Sequence, residues 1–263
     1  MPIKRRRAVR ALLSLIVVCS VLPSLLLVAT AGATSRKQSS YTQALTARLA
    51  TEYQDPALAT KVVASLSPAL LAKLESEVPL AAVKKSPLLA YRPVSLPANS
   101  VKSVIAFEFG NRVAADGTIS AGPTNQALAA VTAEYAKNHH VPIYAQQQIA
   151  EILVADGVKG VTSINPVVGA NGQTTYLSTA GVVAQAVSDA KTSGTPMGKA
   201  GIIAFSDHAD RAVLTAEAAH LVAGAPTGVK LPSTYDPGSG QSWTTSRLSY
   251  LETDLTDRIL TLG

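Results

Sequence analysis

Cysteine is almost absent from this sequence of 263 residues, and its one occurrence lies near the amino terminus. Cys19 stands inside an apolar run, after Val17 and Val18, and lacks the small preceding residue that a lipoprotein signal carries. The rest of the chain therefore has no disulfide and no thiolate metal site. Its stability must come from a hydrophobic core, and a chain of this length can form one.

A basic surface is also missing once the amino terminus is set aside. The formal net charge is +6, but five of the 23 Lys and Arg residues lie within the first ten positions. The other 18 face 17 acidic residues and form no basic block. Binding to a nucleic-acid backbone depends on clustered Lys and Arg that displace counterions. The sequence therefore predicts no nucleic-acid partner.

Nucleotide-binding and metal-binding motifs are absent as well. The sequence contains neither G-x-G-x-x-G nor the G-x-S-x-G of hydrolases. Gly194–Lys199 (GTPMGK) has three residues between its glycines and no Ser or Thr after its lysine, so it is not a P-loop. His139 and His140 are predicted to end a helix, and His220 lies too far from His208 to share a metal. We expect neither a metal ion nor a cofactor.

The amino terminus has the pattern of an export signal. A basic segment, Lys4–Arg10, precedes 23 uncharged residues, Ala11–Ala33, whose last positions are small. A signal peptide that is cleaved and a retained membrane anchor both fit residues 1–33, and both place the remaining chain outside the cytoplasm. Residues 11–33 would contact the membrane if they are not cleaved.

Proline divides the rest of the chain. Asp55-Pro56 and Ser67-Pro68 are typical of helix starts, and they predict a helical segment over residues 34–78. Four prolines then break residues 79–98, which we interpret as a linker or wrapping arm. The main domain is predicted over residues 99–263.

Apolar strand-like runs alternate with helical patterns through the main domain. This alternation is typical of an α/β fold with an open, mostly parallel sheet and helices on both faces, as in Rossmann-like domains. A helix is predicted from Ser178 to Gly194, and Asn171-Gly172 marks a turn. The strand segments are VKSVIAFEFG, VPIYAQ, VTSIN, AGIIAF and a short last strand near GVKL.

Polar residues follow the ends of these strands. In such sheets ligands bind beyond the carboxyl ends of the strands, so we expect these residues to share one site. One of the three consecutive glutamines 146–148 is expected to point inward, because three neighbours on a helix start cannot all do so. The candidate site residues are Glu108, Arg112, Gln147, Ser206, Asp207, His208, Arg211 and Trp243.

His208 and Arg211 are the strongest of these candidates. They lie three residues apart at a predicted helix start, where His208 would act as an acid/base or hydrogen-bonding group and Arg211 would hold an anion. Ser206 and Asp207 would bind substrate beside them. The alternative is structural, because Ser206 or Asp207 can cap the helix and Arg211 can pair with an acid.

Three further candidates also have both a functional and a structural interpretation. Glu108 and Arg112 suit a site acid with an anion-holding partner, or an ion pair between the two. Trp243, the only tryptophan, suits a stacking wall for a sugar or base, or a plug that closes the edge of the core.

The segment Ser206–Ala212 (SDHADRA) after a strand resembles the strand–Ser-x-x-His-x-x-Arg-Ala segment of the family that includes YdcF, SanA and ElyC. The similarity extends over residues 101–263 and carries over to His208, Arg211 and Ala212. The sequence departs from the family in its Gly-rich turns, which read FEFGNR and AQQQ here, and Ser206 lies two positions before the histidine instead of three. The resemblance implies a Rossmann-like domain outside the membrane, linked to envelope integrity and to cell-wall or lipid-carrier metabolism.

Three functions remain open from the sequence. The first is an exported protein that binds a small anionic or glycan-linked metabolite, with hydrolysis or transfer at that group if it is an enzyme. The second is a non-catalytic envelope integrity factor that acts through protein–protein contacts. The third is a secreted hydrolase with Ser206 as its nucleophile.

Overall fold

The computed structural model describes residues 27–168 and 174–262. Most of the predicted export signal and the Asn171-Gly172 turn lie outside the described residues. The chain divides into two compact units, Met1–Ser40 and Tyr41–Gly263, and the second unit contains every strand of the main sheet.

One parallel sheet of six strands forms the centre of the second unit. Its strand order is β1-β10-β9-β2-β5-β6, and each neighbouring pair is parallel. The two short antiparallel pairs β3–β4 and β7–β8 lie outside it. The strands are β1 (Ser95–Leu96), β2 (Ser103–Ala106), β3 (Arg112–Val113), β4 (Ile119–Ser120), β5 (Ile143–Gln146), β6 (Val161–Ile164), β7 (Val167–Val168), β8 (Thr174–Thr175), β9 (Lys199–Ile203) and β10 (Val222–Pro226).

The chain path through this sheet reverses direction at β2. From β2 it runs outward through β5 to β6, and then it returns to β9 on the other side of β2 and continues to β10. The pair β2–β9 is therefore a topological switch point, the place where open α/β sheets bind their ligands. The predicted α/β class with a parallel sheet is confirmed.

Helices cover both faces of the sheet, as predicted. Side chains alternate between the faces of a strand, so Val104 and Ala106 pack with α4, α5 and α8, whereas Ile105 and Phe107 pack with α6 and α7. Burying each large side chain of these two cores stabilises the fold by roughly 1.5–3 kcal/mol. The helices are α1 (Leu27–Tyr53), α2 (Pro56–Ser65), α3 (Pro68–Glu77), α4 (Pro123–His139), α5 (Gln147–Ala155), α6 (Thr179–Thr192), α7 (Ser206–Ala218) and α8 (Arg247–Thr261).

Side-chain caps fix three of the predicted helix starts. The Asp55 carboxylate accepts a hydrogen bond from the Leu58 N–H at 2.9 Å, and the Ser67 hydroxyl caps α3 in the same way. Ser178 caps α6 by accepting from the Gly181 N–H at 3.1 Å. These bonds satisfy donors that have no partner inside the helix.

Residues 79–98 pack against the main domain as a wrapping arm would, and not as a free linker. This segment buries Val83 and Leu89 in the same core as the sheet, and its end forms β1, which pairs with β10 as the sheet edge. Helices α2 and α3 also contact α8. The predicted boundaries at 78 and 98 therefore do not divide the chain into separately packed parts. Two of its prolines stand at the starts of short 3₁₀ turns, Leu80–Ala82 and Pro87–Leu89, and the other two flank the edge strand β1, where proline is tolerated.

The predicted last strand near GVKL is also misplaced. Helix α7 ends at Ala218, and His220 takes a left-handed backbone conformation with φ of 63°. The strand that follows is Val222–Pro226. Alanine, glycine and proline make up most of this strand and have a low strand preference, so its sequence does not mark it as a strand.

No single helix among the described residues is both long enough and apolar enough to cross a membrane. The helices α2 and α3 pass that test only as a pair, and they are bent by 107° at the break between them.

Candidate functional site

A cavity of about 510 Å³ lies at the switch point between β2 and β9. We call it the switch-point cavity. Its walls are the loop after β2, the first turn of α6, one face of α7, the loop before α8 and α8 itself. The lining residues used below are Glu108, Gly110, Tyr176, Thr179, His208, Arg211, Trp243, Tyr250 and Asp257.

A second cavity, of about 290 Å³, adjoins the first along the end of β5. We call it the side cavity. Gln147, Glu151 and Asn165 line it, and it shares Glu108, Gln146, Tyr176 and Leu177 with the switch-point cavity.

The structure brings together five of the eight candidate site residues. Glu108, His208, Arg211 and Trp243 line the switch-point cavity, and Gln147 lines the side cavity next to Glu108. The remaining three, Arg112, Ser206 and Asp207, are not among the described lining residues of either cavity.

The loop after β2 is held by a buried amide network. The Phe109 N–H donates to the Asn125 side chain at 2.8 Å, and the Asn125 amide donates to the Gly110 carbonyl at 2.7 Å and to Gln148 at 2.9 Å. Gly110 has φ of 75°, a conformation that favours glycine. Phe109 also stacks on Phe205 with ring centroids 3.9 Å apart, so the loops after β2 and β9 are packed against each other.

Glu108 lies where the two cavities meet. Its N–H donates to the Gln146 side chain at 2.8 Å, and its Oε1 accepts from the Gln148 N–H at 2.6 Å. Burial raises the pKa of Glu108 from 4.5 to about 7; the Gln148 N–H opposes this rise, and the nearby Glu151 adds to it. The carboxyl therefore gains and loses a proton near neutral pH.

His208 is a neutral hydrogen-bonding group. Its ring is 6% exposed, it packs edge-on against Phe107 at 5.8 Å, and its Nδ1 is buried without a hydrogen-bond partner among the described residues. Burial and the nearby charges of Arg211 and Arg258 together lower the pKa of His208 from 6.5 to about 3, against the opposing charge of Asp254. A neutral imidazole can donate one hydrogen bond and accept another.

Arg211 is already paired with acids. Its guanidinium contacts the fully buried Asp254 at 2.5 Å and the half-exposed Asp257 at 3.3 Å, and it also donates to the Thr179 hydroxyl. The ion-pair alternative for Arg211 is therefore present in the structure. An anion in the cavity would have to compete with two carboxylates for this cation.

Behind Arg211 lies a cluster of buried charges, which we call the α7–α8 charge network. Arg258 contacts Asp254 at 2.6 Å and Asp210 at 2.9 Å, and all three side chains are at most 5% exposed. Arg258 also donates to the Ala90 carbonyl and stacks over the Tyr91 ring. Burial alone would raise the pKa of Asp254, but Arg258 and Arg211 lower it below its usual value.

The other three candidate site residues lie outside both cavities. Arg112 pairs with Asp236 at 2.6 Å, so the expected pair with Glu108 is wrong. Asp207 accepts hydrogen bonds from Arg247 at 2.9 Å and from the Tyr235 hydroxyl at 2.8 Å. Neither Ser206 nor Asp207 caps α7, whose N-cap position is Phe205, and Ser206 lies outside both described linings. The hypothesis of a Ser206 nucleophile gains no support from this placement.

Two aromatic rings line the mouth of the switch-point cavity. Trp243 is 45% exposed and Tyr176 is 40% exposed, although both line the cavity. Neither ring is a plug inside the core. Exposed aromatic faces of this kind suit the apolar face of a sugar ring or a base.

Sequence reasoning missed Tyr176, Tyr250 and Asp257. Tyr176 lies two residues before the predicted cap Ser178, and that proximity was the available signal. Tyr250, Asp254 and Asp257 recur at helical spacing on one face of α8, which a search for polar faces on buried helices would have found. Within the described ranges, no three His, Cys, Asp or Glu side chains cluster as metal ligands do.

Comparison of the chain with protein-family models, with curated proteins and with solved structures finds no significant match. The resemblance to the YdcF, SanA and ElyC family therefore stays a prediction from its short motif.

Proposed function

We propose that this protein binds a small, uncharged, polyhydroxylated ligand of the glycan class in the switch-point cavity. The observation that carries the proposal is the combination of half-exposed Trp243 and Tyr176 with Glu108 and His208 in one cavity at the switch point. A volume of about 510 Å³ lies within the usual range of about 300–1,000 Å³ for ligand pockets.

The charges of the cavity favour an uncharged ligand over an anionic one. Among its described lining residues, Arg211 is the one cation, and it is paired with Asp254 and Asp257, while Glu108 adds another carboxyl to the lining. His208 adds no positive charge at neutral pH. The amino-terminal ends of α6 and α7 attract negative charge, but they act against these carboxylates. Of the two ligand classes expected from the sequence, the glycosylated one is therefore favoured.

The polar side chains of the cavity supply hydrogen-bond donors and acceptors for sugar hydroxyls. Glu108 can accept hydrogen bonds when ionised and can also donate one when protonated, and it changes between these states near pH 7. The His208 imidazole also lines the cavity, and a neutral imidazole offers one hydrogen-bond donor and one acceptor. If the protein is an enzyme, Glu108 is the proton-transferring group and His208 positions the ligand. This differs from the expectation from the sequence, which gave the acid/base role to His208.

The proposed cellular location rests on the sequence of the amino terminus. The basic segment and the uncharged run at Ala11–Ala33 support a location outside the cytoplasm, where glycans of the envelope are present. The family resemblance points to the same compartment. A non-catalytic binding protein and a hydrolase or transferase are both compatible with this location.

Trp243 provides a direct test, because it is the only tryptophan of the chain and lies in the proposed site. Glucose, galactose and N-acetylglucosamine would be titrated into the full chain while tryptophan fluorescence is recorded. We expect a saturable change with at least one sugar and none with inorganic phosphate. Calorimetry of Trp243→Ala with the same sugar should show an affinity at least tenfold lower.

Val154→Ala is the matched control, because Val154 is an exposed apolar side chain outside both cavities. It should bind the sugar like the wild type. Saturable binding of phosphate without any response to sugars would contradict the proposal and favour the anionic ligand class.

A further inference from the structure

The two cavities adjoin each other. They share Glu108, Gln146, Tyr176 and Leu177, so these four residues form the boundary between them. The side cavity alone, at about 290 Å³, lies at the lower limit for ligand pockets, which is about 300 Å³. It is better suited to hold one part of a ligand whose other part lies in the larger cavity.

The side cavity differs in character from the switch-point cavity. Its lining contains the amides of Gln146, Gln147 and Asn165 and the carboxyl of Glu151. Gln147 is held in place because its amide donates to Glu151 one helical turn later at 2.8 Å. Amide groups both donate and accept hydrogen bonds, which matches the mixed hydrogen bonding of sugar hydroxyls.

The shared boundary holds two groups that suit a linkage between sugar units. Tyr176 presents a half-exposed ring to both cavities. Glu108 is fixed on one side by the Gln148 N–H, which bonds Oε1, and no described residue bonds its Oε2. One carboxylate oxygen is therefore free to contact an atom that lies between the two cavities.

We propose that the two adjoining cavities bind two linked sugar units, with one unit beside Trp243 in the switch-point cavity, the other beside Gln147 and Asn165 in the side cavity, and the linkage at Glu108. This inference rests on the proposed function and specifies the size of its ligand. It also assigns Gln147 and Asn165 as residues that determine ligand length.

The test compares matched sugar pairs on the full chain by tryptophan fluorescence and calorimetry. The pairs are glucose with cellobiose and maltose, and N-acetylglucosamine with its β-1,4-linked dimer. For at least one pair, the disaccharide should bind at least tenfold more tightly than the monosaccharide. Gln147→Ala and Asn165→Ala should reduce that disaccharide's affinity toward the monosaccharide value and leave monosaccharide binding unchanged.

Gln126→Ala is the matched control, because Gln126 is an exposed glutamine in the first turn of α4 and lines neither cavity. It should behave as the wild type with both ligands. Equal affinities for mono- and disaccharides in every pair would overturn the two-unit proposal and leave the proposed function standing. Binding of neither would overturn both, and so the two failures are distinct.

Discussion

Helix α7 separates two regions that differ in how their polar groups are satisfied. On one side, Asp210 and Arg211 belong to the α7–α8 charge network, in which each carboxylate meets an arginine. On the other side, His208 lines the switch-point cavity with a buried Nδ1 that lacks a partner among the described residues. Residues 208–211 of α7 thus contain both paired and unpaired polar groups.

This difference indicates which polar residues have a structural role and which are candidates for a functional role. Buried polar groups are almost always paired, because leaving one unpaired costs about 1–3 kcal/mol. The ion-paired side chains join α7, α8 and the segment before β1, so they hold the fold together, although Arg258 Nη2 has no partner among the described residues. By this criterion, His208 with its unpaired Nδ1 and Glu108 with its raised pKa are the candidates for a functional role.

The largest expected effect comes from breaking the paired region. Asp254→Ala removes the carboxylate shared by Arg211 and Arg258 and leaves the fully buried Arg258 and the partly buried Arg211 without this partner. We expect the free energy of unfolding to fall by about 3–5 kcal/mol, as measured by urea denaturation. A loss below about 1 kcal/mol would show that the network does not hold the fold.

The next effect concerns Glu108 and depends on pH. The pKa of Glu108 is raised in the folded state, so the folded chain holds this proton between about pH 4.5 and 7 while the unfolded chain releases it, and stability falls as pH rises. Glu108→Gln keeps an acceptor for the Gln148 N–H and removes the buried charge. Its melting temperature relative to the wild type should rise by several degrees between pH 5 and pH 8. A difference that does not change with pH would contradict the raised pKa.

A smaller effect on stability is expected at His208. His208→Leu removes an unpaired buried nitrogen, so the free energy of unfolding at pH 7 should stay within about 1 kcal/mol of the wild type. Affinity for the sugar that binds the wild type should fall at least tenfold. A loss of several kcal/mol at pH 7 would assign His208 to the structural region instead.

The same variant tests whether the pKa of His208 is lowered in the folded state. The folded pKa is lowered to about 3 by burial and by Arg211 and Arg258 against Asp254, so the unfolded chain takes up the proton first as pH falls below 6.5, and stability is lost toward pH 3. Thermal melts at pH 7 and pH 4 should therefore show a smaller acid-induced decrease for His208→Leu than for the wild type.

The smallest effect is expected at a surface ion pair. Lys73 and Glu77 lie 3.2 Å apart on α3, and both side chains are more than a third exposed. Glu77→Ala should change the free energy of unfolding by less than about 0.5 kcal/mol in the same urea assay used for Asp254→Ala. A loss comparable to that of Asp254→Ala would mean that burial is not what distinguishes the α7–α8 charge network.

Local patterns were enough to predict the sheet class, the caps Asp55, Ser67 and Ser178, and the convergence of Glu108, His208 and Trp243. Each of these depends on neighbours in sequence or on the rule that parallel strand ends share an edge. The partners of Arg211 and Arg112 could not be predicted in this way, because Asp254 and Asp236 lie 43 and 124 residues away from them. Tertiary packing selects such partners, and the charge pattern of one segment does not contain that information.

The edge strand β1 has a consequence for shortened forms of the chain. Gly224 of β10 lies so close to β1 that an added Cβ would be 2.7 Å from the Val94 carbonyl oxygen, so the two strands are fitted to each other. A fragment that begins at residue 99 would lose this partner and expose the backbone donors and acceptors of β10 to other molecules. Such fragments should aggregate, whereas fragments beginning at Tyr41 retain the whole sheet.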